Sequence, residues 1–270
     1  MNLKSIRSRI LTQPLVEKTY HRLINPLIDA YIISFPKSGR TWVRMLLAQA
    51  LSLEFNQKLN LDLYKMTLGS GLANIKTDPR TGNYRQAGGS KSLGVKRMFK
   101  NKKIIFLVRD PKDVLVSYYY EWTRRRDAAY EGKLAQFIRE EFTLPAITEF
   151  MNSWAEEMER RPQDFLLVAY ENLHRDPKLE LQRMLNFLAI SVSESSLTRA
   201  VEASSFDRML QMEKINTFAG DHRLQAVNLN DQNSFKMRKG KVGGFKEILT
   251  GEDLSYVNSK LAGLNRRFGY

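Results

Sequence analysis

Three short runs of nearly continuous apolar residues punctuate the chain: YIISF at 31–35, KIIFLVR at 103–109 and FLLVAYE at 165–171. Unbroken apolar character suits strands covered on both faces, as in a parallel sheet, rather than the alternation of a strand with one wet face. Between and beyond these runs, Thr41 to Leu53, Asp113 to Arg126, Leu134 to Met158 and Leu179 to Leu188 carry apolar residues three and four apart, the spacing of amphipathic helices. Strands alternating with helices predict an α/β fold, a single domain with a central parallel sheet flanked by helices and joined by right-handed crossovers. Residues 57–100 and 214–237 are richer in Gly, Asn, Lys and Asp, show weak periodicity and read as long loops, which in a compact domain are usually functional. No repeat, low-complexity tract or linker cuts residues 31–270 in two.

The N-terminal segment, residues 1–30, is basic and amphipathic and lacks the continuous apolar stretch of a signal peptide. It predicts a helical segment packed on the domain, with a peripheral membrane contact as the second reading. No apolar run approaches the roughly 20 residues needed to span a bilayer.

Charge changes the picture more than composition does. Forty-three Lys and Arg against 29 Asp and Glu leave a formal net charge of +14, although the 43% hydrophobic and 27% charged content is ordinary for a globular chain. Such a charge attracts nucleic acid, an acidic membrane surface or a multiply phosphorylated small molecule, and does not choose among them. The chain has no cysteine, which excludes disulfides and thiolate metal sites and is compatible with a reducing, cytoplasmic location. It has three histidines: His21, His174 and His222.

Three motifs carry candidate chemistry. In FPKSGRTW the first apolar run ends in a tight turn that opens a helix, and such a turn aims backbone N–H groups and the positive end of the helix dipole at an anion. Gly39 allows close backbone approach, Ser38 and Thr41 add hydroxyls, and Lys37 adds a full charge; the lysine precedes the glycine, so this is no Walker A loop. A plain turn with a solvated lysine explains PKSG equally well in isolation. The second motif, VRDPKDVLVSYY, repeats strand, turn and helix with Arg109 at the strand end and Ser117 in the helix, a pair suited to phosphate, or else a surface ion pair of Arg109 with Asp110 and a small packed serine. The third, SFKMRKGKVGGFKE, sets Arg238, Lys239 and Lys241 around Gly240 in a basic loop that can wrap an anion.

In this order the three motifs resemble the sulfotransferase family that uses 3′-phosphoadenosine 5′-phosphosulfate (PAPS). YENLHRDP at 170–177, SSFDRM at 204–209 and the ending KLAGLNRRFGY extend the similarity over about residues 31–270. The resemblance implies a P-loop-like phosphosulfate site and transfer of a sulfuryl group to a hydroxyl or amine of a small-molecule, carbohydrate or lipid acceptor, with no metal. It implies that Lys37, Ser38, Gly39, Arg40 and Thr41 cradle the 5′-phosphosulfate, with Lys37 also acting on the leaving oxygen. Trp42 would stack on adenine, Tyr170, Ser204, Phe206 and Met209 would line the base pocket, and Arg109, Ser117, Arg238, Lys239 and Gly240 would bind the 3′-phosphate.

The sequence departs from the family pattern at the general base. Many members carry a KTH-like stretch, whereas this chain reads NIKTDPRTG and has no histidine from 22 to 173. Asp78 therefore becomes the candidate base, with a turn cap before Pro79 as the structural alternative and His222 as the catalytic rival. Gly244 and Phe245 stand where the family often has Asp-Trp, and the family's dimer motif is not clear in KEILTGEDLS. Lys76, Arg80, Arg85 and Lys91 hint at a polar or anionic acceptor such as a carbohydrate, glycolipid or phenol. A nucleotide or sugar kinase stays open as an alternative, though Walker A and a Mg²⁺-binding acid are not evident. So does a basic nucleic-acid-binding protein, though no recognised module is evident.

Overall fold

The computed structural model describes residues 25–77, 99–125, 129–219 and 222–270, without the His222 side chain. Asp78, Arg80, Arg85, Lys91 and the first 24 residues of the N-terminal segment lie outside the described residues.

Four strands, β1 (Ala30–Ser34), β2 (Ile75–Thr77), β3 (Lys103–Val108) and β4 (Phe165–Ala169), form one sheet in the order β2-β1-β3-β4. Every pairing is parallel, with Ile32 opposite Ile105 and Phe106 opposite Leu167. The three apolar runs are β1, β3 and β4, within a residue or two of the expected ends. The short strand β2 sits inside the segment expected to be loop; three residues are too few to show a period.

Among the described residues the α-helices are α1 (Arg40–Glu54), α2 (Leu63–Thr67), α3 (Pro111–Arg124), α4 (Leu134–Phe137), α5 (Leu144–Arg160), α6 (Tyr170–Arg175), α7 (Pro177–Phe187), α8 (Glu194–Ala203), α9 (Phe206–Lys214) and α10 (Gly251–Leu261). The helix expected over 134–158 is two helices. Pro145 lacks the N–H that a continuous helix needs and sits in the first turn of α5 instead. The run FLLVAYE also divides, because the strand stops at Ala169 and Tyr170 opens α6.

Successive residues along each strand face opposite sides of the sheet, and both sides are covered. Tyr31, Ile33, Ile104 and Phe106 pack with Val114 and Leu115 of α3 and Phe150 and Trp154 of α5. Ile32, Ile105, Leu107 and Val168 pack with Leu47 of α1, Leu181 of α7 and Leu197 of α8. The result is a three-layer α/β/α sandwich. Its strand order also fixes where a ligand belongs. The chain passes from β1 to β2 on one side and then back across β1 to β3 on the other, so the strand order reverses and a crevice opens beyond the carboxyl ends of β1 and β3. Those two ends carry the PKSG turn and Arg109.

Candidate active site

The turn after β1 is built on alternating left-handed backbone, with φ 71° at Lys37 and φ 98° at Gly39. Such alternation points successive N–H groups into one concavity. At position 39 a side chain is excluded twice over: by the positive φ, and because a Cβ would lie 2.6 Å from Tyr170 Cδ2. Helix α1 begins at Arg40 with no side-chain cap from Gly39, and the positive end of its dipole faces the same turn.

Arg109 joins this turn to the other two motifs. Its Nη1 donates to the Lys37 carbonyl at 3.3 Å and its Nη2 to the Lys241 carbonyl at 2.9 Å, while the guanidinium lies 4.2 Å from the Tyr170 ring centre. Asp113, one helical turn along α3, is 3.5 Å from Arg109 and accepts the N–H groups of Gly243 at 2.8 Å and Phe245 at 2.9 Å. The basic loop is therefore tied down by an aspartate that the sequence reading passed over.

Arg238 reaches in from that loop, its guanidinium 4.2 Å from the Tyr120 ring centre. Its Nη1 is buried without a hydrogen-bond partner, as is Nε of Arg109. Burial, more than any neighbouring charge, pulls the Arg238 pKa down, so this guanidinium gains from an incoming anion. Gly240 has φ 58° and a Cβ there would enter the Phe206 ring, so the loop backbone and that aromatic are in direct contact. Trp42 is held by its Nε1, which donates to the Ser204 carbonyl at 2.9 Å, and its ring centre is 5.7 Å from that of Tyr170.

These groups surround one cavity of about 620 Å³. Of the residues expected there, Lys37, Gly39, Arg40, Thr41, Trp42, Arg109, Ser117, Tyr170, Phe206, Arg238, Lys239 and Gly240 line it. Ser38, Ser204 and Met209 do not. Ser38 is buried, Ser204 touches the site through its carbonyl to Trp42, and Met209 packs with Met45, Leu61 and Leu224 in a small apolar cluster against which Trp42 also packs. Thr77, the residue before Asp78, lines the cavity and accepts a hydrogen bond from Arg44.

Beside Lys37 lies a group not foreseen from sequence. Glu121 Oε2 accepts from Lys37 Nζ at 2.9 Å, and both its oxygens bind Lys236 Nζ, at 2.9 and 3.0 Å. Burial pushes the Glu121 carboxyl up, but Lys37 and Lys236 overcome it and hold the group far below the usual carboxylate range. For Lys37 burial outweighs the attraction of Glu121, and its pKa falls. A signal for Glu121 was present: Asp113, Ser117, Glu121 and Arg125 stand four apart, one polar stripe on a helix whose other face is apolar.

The family model for the sulfotransferase domain matches residues 27–261. The chain belongs to the sulfotransferase family. Among its relatives, mouse sulfotransferase 1B1 is 27% identical over 82% of this chain and 77% of its own length. Flavonol 3-sulfotransferase of Flaveria bidentis is 25% identical over 85% of this chain and 79% of its own. The fold is that of mouse sulfotransferase SULT7A1, solved in complex with PAP, with a TM-score of 0.63, 22% identity and 87% and 84% of the two chains covered. It is also that of retinol dehydratase, solved with androsterone and the inactive cofactor PAP, with a TM-score of 0.62, 17% identity and 87% and 79% covered. Among the described residues of this sulfotransferase, no helix is long and apolar enough to cross a membrane.

Proposed function

We propose that this sulfotransferase binds PAPS in the cavity between the PKSG turn, Arg109 and the basic loop, and transfers its sulfuryl group to a hydroxyl or amine of a small acceptor. The observation that carries the reading is the pair of anion-receiving turns at the sheet's switch point, bridged by Arg109 and flanked by an aromatic slot. PAPS needs two separated anion sites and a place for a purine. The residues fit it: two buried arginine nitrogens await a partner, two glycine positions admit no side chain, and Trp42, Tyr170 and Phe206 offer ring faces.

The donor supplies an activated sulfuryl group on a good leaving phosphate. The chain positions it and offsets charge, as in phosphoryl transfer. The backbone of residues 37–41 holds the 5′ end, while Arg109, Ser117, Arg238, Lys239 and Gly240 hold the 3′-phosphate. Lys37 supplies its ammonium where charge develops on the leaving oxygen. To do so it exchanges Glu121 for the substrate, an exchange made easier because burial already disfavours its charge. The acceptor lies beyond Lys37, toward Glu121, Lys236, Arg44 and Thr77. This wall is polar and ionic, and it favours a phenol, a carbohydrate or another polar acceptor over a purely apolar one.

The test is titration with PAP and with adenosine 5′-monophosphate in the presence of EDTA, followed by acceptor screening with labelled PAPS. PAP binding well above that of the monophosphate, and label transfer without metal, are expected. Tighter binding of Mg²⁺–ATP than of PAP, or phosphoryl rather than sulfuryl transfer, would move the chain to kinase chemistry.

A further inference from the structure

The acceptor must lose a proton during transfer, and few described groups beside Lys37 can take it. Asp113 is engaged by two backbone N–H groups at the basic loop. His174 has Nε2 2.9 Å from the Gly240 carbonyl and its ring beside Trp42, among the residues assigned to the nucleotide. Glu121 carries Lys37, Lys236 and, at 3.3 Å, Arg125 Nε, so it is a feeble base. Lys236 remains.

Lys236 is fixed at both ends. Its backbone N–H donates to Glu213 Oε1 at 2.7 Å, and that of Met237 to Glu213 Oε2 at 2.9 Å, from a carboxylate that is almost fully buried. Its Nζ sits on both oxygens of Glu121 and faces the cavity that Lys37 also lines. Glu213 in turn lies 3.5 Å from Arg125 Nη1. Three cations, Lys37 from the PKSG turn, Arg125 after α3 and Lys236 from the basic loop, thus share two carboxylates, Glu121 on α3 and Glu213 on α9. The cluster carries one positive charge too many; the Lys37 charge is used at the leaving oxygen, so Lys236, the other cavity-lining lysine on Glu121, is the group able to shed it.

We propose that Lys236 is the catalytic base of the transfer, oriented by Glu121. The assignment rests on the sulfuryl-transfer reading above. The unprotonated Nζ takes the acceptor's proton as the acceptor oxygen or nitrogen bonds to sulfur, and the sulfur–oxygen bond to phosphate breaks with its electron pair on the leaving oxygen. Glu121 then holds the new ammonium, as a carboxylate steadies a protonated base in other catalytic pairs. Burial first, and the neighbouring Lys37 charge second, pull the Lys236 pKa down to about 7, so much of the free enzyme holds the amine neutral at neutral pH. A bound anion raises that value, so the acid limb of kcat lies at higher pH than that of kcat/KM.

Two measurements test this. The first needs no turnover: pulse labelling with 1-fluoro-2,4-dinitrobenzene, mapped by mass spectrometry across pH. Lys236 should label with a midpoint near 7 and PAP should slow it, because at pH 7 it offers roughly 10²-fold or more neutral amine than an ordinary lysine of pKa about 10.4. The second compares wild type, Lys236→Arg, Lys236→Ala and Asp78→Asn over phenols of graded acidity, from 4-methoxyphenol to the far more acidic 4-nitrophenol, which is substantially ionised near neutral pH. Lys236→Arg keeps the charge and loses the base, so it should bind PAP within a few fold of wild type. Its kcat should fall roughly 10²–10³-fold with the weakly acidic phenol and far less with 4-nitrophenol. Glu121→Gln should shift the acid limb to lower pH, since removing that negative charge lowers the lysine's affinity for a proton. If PAP binds but Lys236 labels like a surface lysine, or Lys236→Arg keeps its rate and acid limb while Asp78→Asn loses them, the base assignment is wrong and the sulfotransferase reading stands. If PAP neither binds nor protects, both fall.

Discussion

Asp113 offers the sharpest test of how the nucleotide loop is held. It is 3% exposed and accepts from Gly243 N at 2.8 Å and Phe245 N at 2.9 Å, with Arg109 at 3.5 Å. Replacing it with alanine orphans two backbone donors and leaves Arg109 without its carboxylate. A buried donor left unpaired costs about 1–3 kcal/mol, and breaking a buried ion pair from one side costs about 3–5 kcal/mol, so the overlapping losses come to roughly 3–5 kcal/mol if the loop stays in place. If the loop releases, the stability cost falls and the loss appears in binding instead, because Arg238, Lys239 and Gly240 then no longer meet the cavity. Asp113→Asn separates the terms: it keeps one acceptor but turns an amide N–H toward a backbone N–H. Urea unfolding reads the first quantity, calorimetric titration with PAP the second, and tryptic cleavage after Lys239 or Lys241 reports loop release. An alanine variant within about 0.5 kcal/mol of wild-type stability, with unchanged PAP affinity and an uncut loop, would refute the anchoring role.

Arg238→Ala should weaken PAP by about 1.5–3 kcal/mol, the scale of a lost charged hydrogen bond, with a much smaller effect on adenosine 5′-monophosphate; equal losses in calorimetry would remove Arg238 from the 3′-phosphate. Lys37→Ala should lower kcat roughly 10²–10³-fold while PAP affinity changes less, as for loss of one preformed donor to a developing negative charge; steady-state kinetics with near-normal kcat would leave Lys37 a structural turn residue. Gly39→Ala should lose PAP binding before it unfolds, since its Cβ at 2.6 Å from Tyr170 pushes that ring out of the slot; a titration indistinguishable from wild type counts against the tight turn. Glu121→Gln should cost about 3 kcal/mol near pH 6. The depressed Glu121 pKa stabilises the fold above the unfolded value of about 4.3 and loses that contribution as pH falls through the folded one, so the gap in urea midpoints should close below about pH 4.

The local sequence determined a good deal of this sulfotransferase. Short apolar runs without alternation suit strands covered on both faces, and they became β1, β3 and β4. The PKSG turn and Arg109 were legible because a strand, a tight turn and a helix are contiguous in the chain, and contiguity is what sequence shows. The basic loop was legible as chemistry, but its attachment was not. Asp113 and the Gly243 and Phe245 N–H groups are brought together across 130 residues and more by the packing of the loop against α3. Met209, expected in the base pocket, packs with Met45 and Leu61 in a cluster that Trp42 borders, a placement set by the packing of α9 against α1 and not visible in the local sequence. The sequence marked Lys37 and the polar stripe that carries Glu121, but not that Lys37, Glu121 and Lys236 meet. The three come from a turn, a helix and a loop far apart in the chain, each an ordinary surface residue by type. Only the crossing of those elements at the sheet's switch point removes water from all three at once. That shared desolvation makes the proton affinity of each depend on the others.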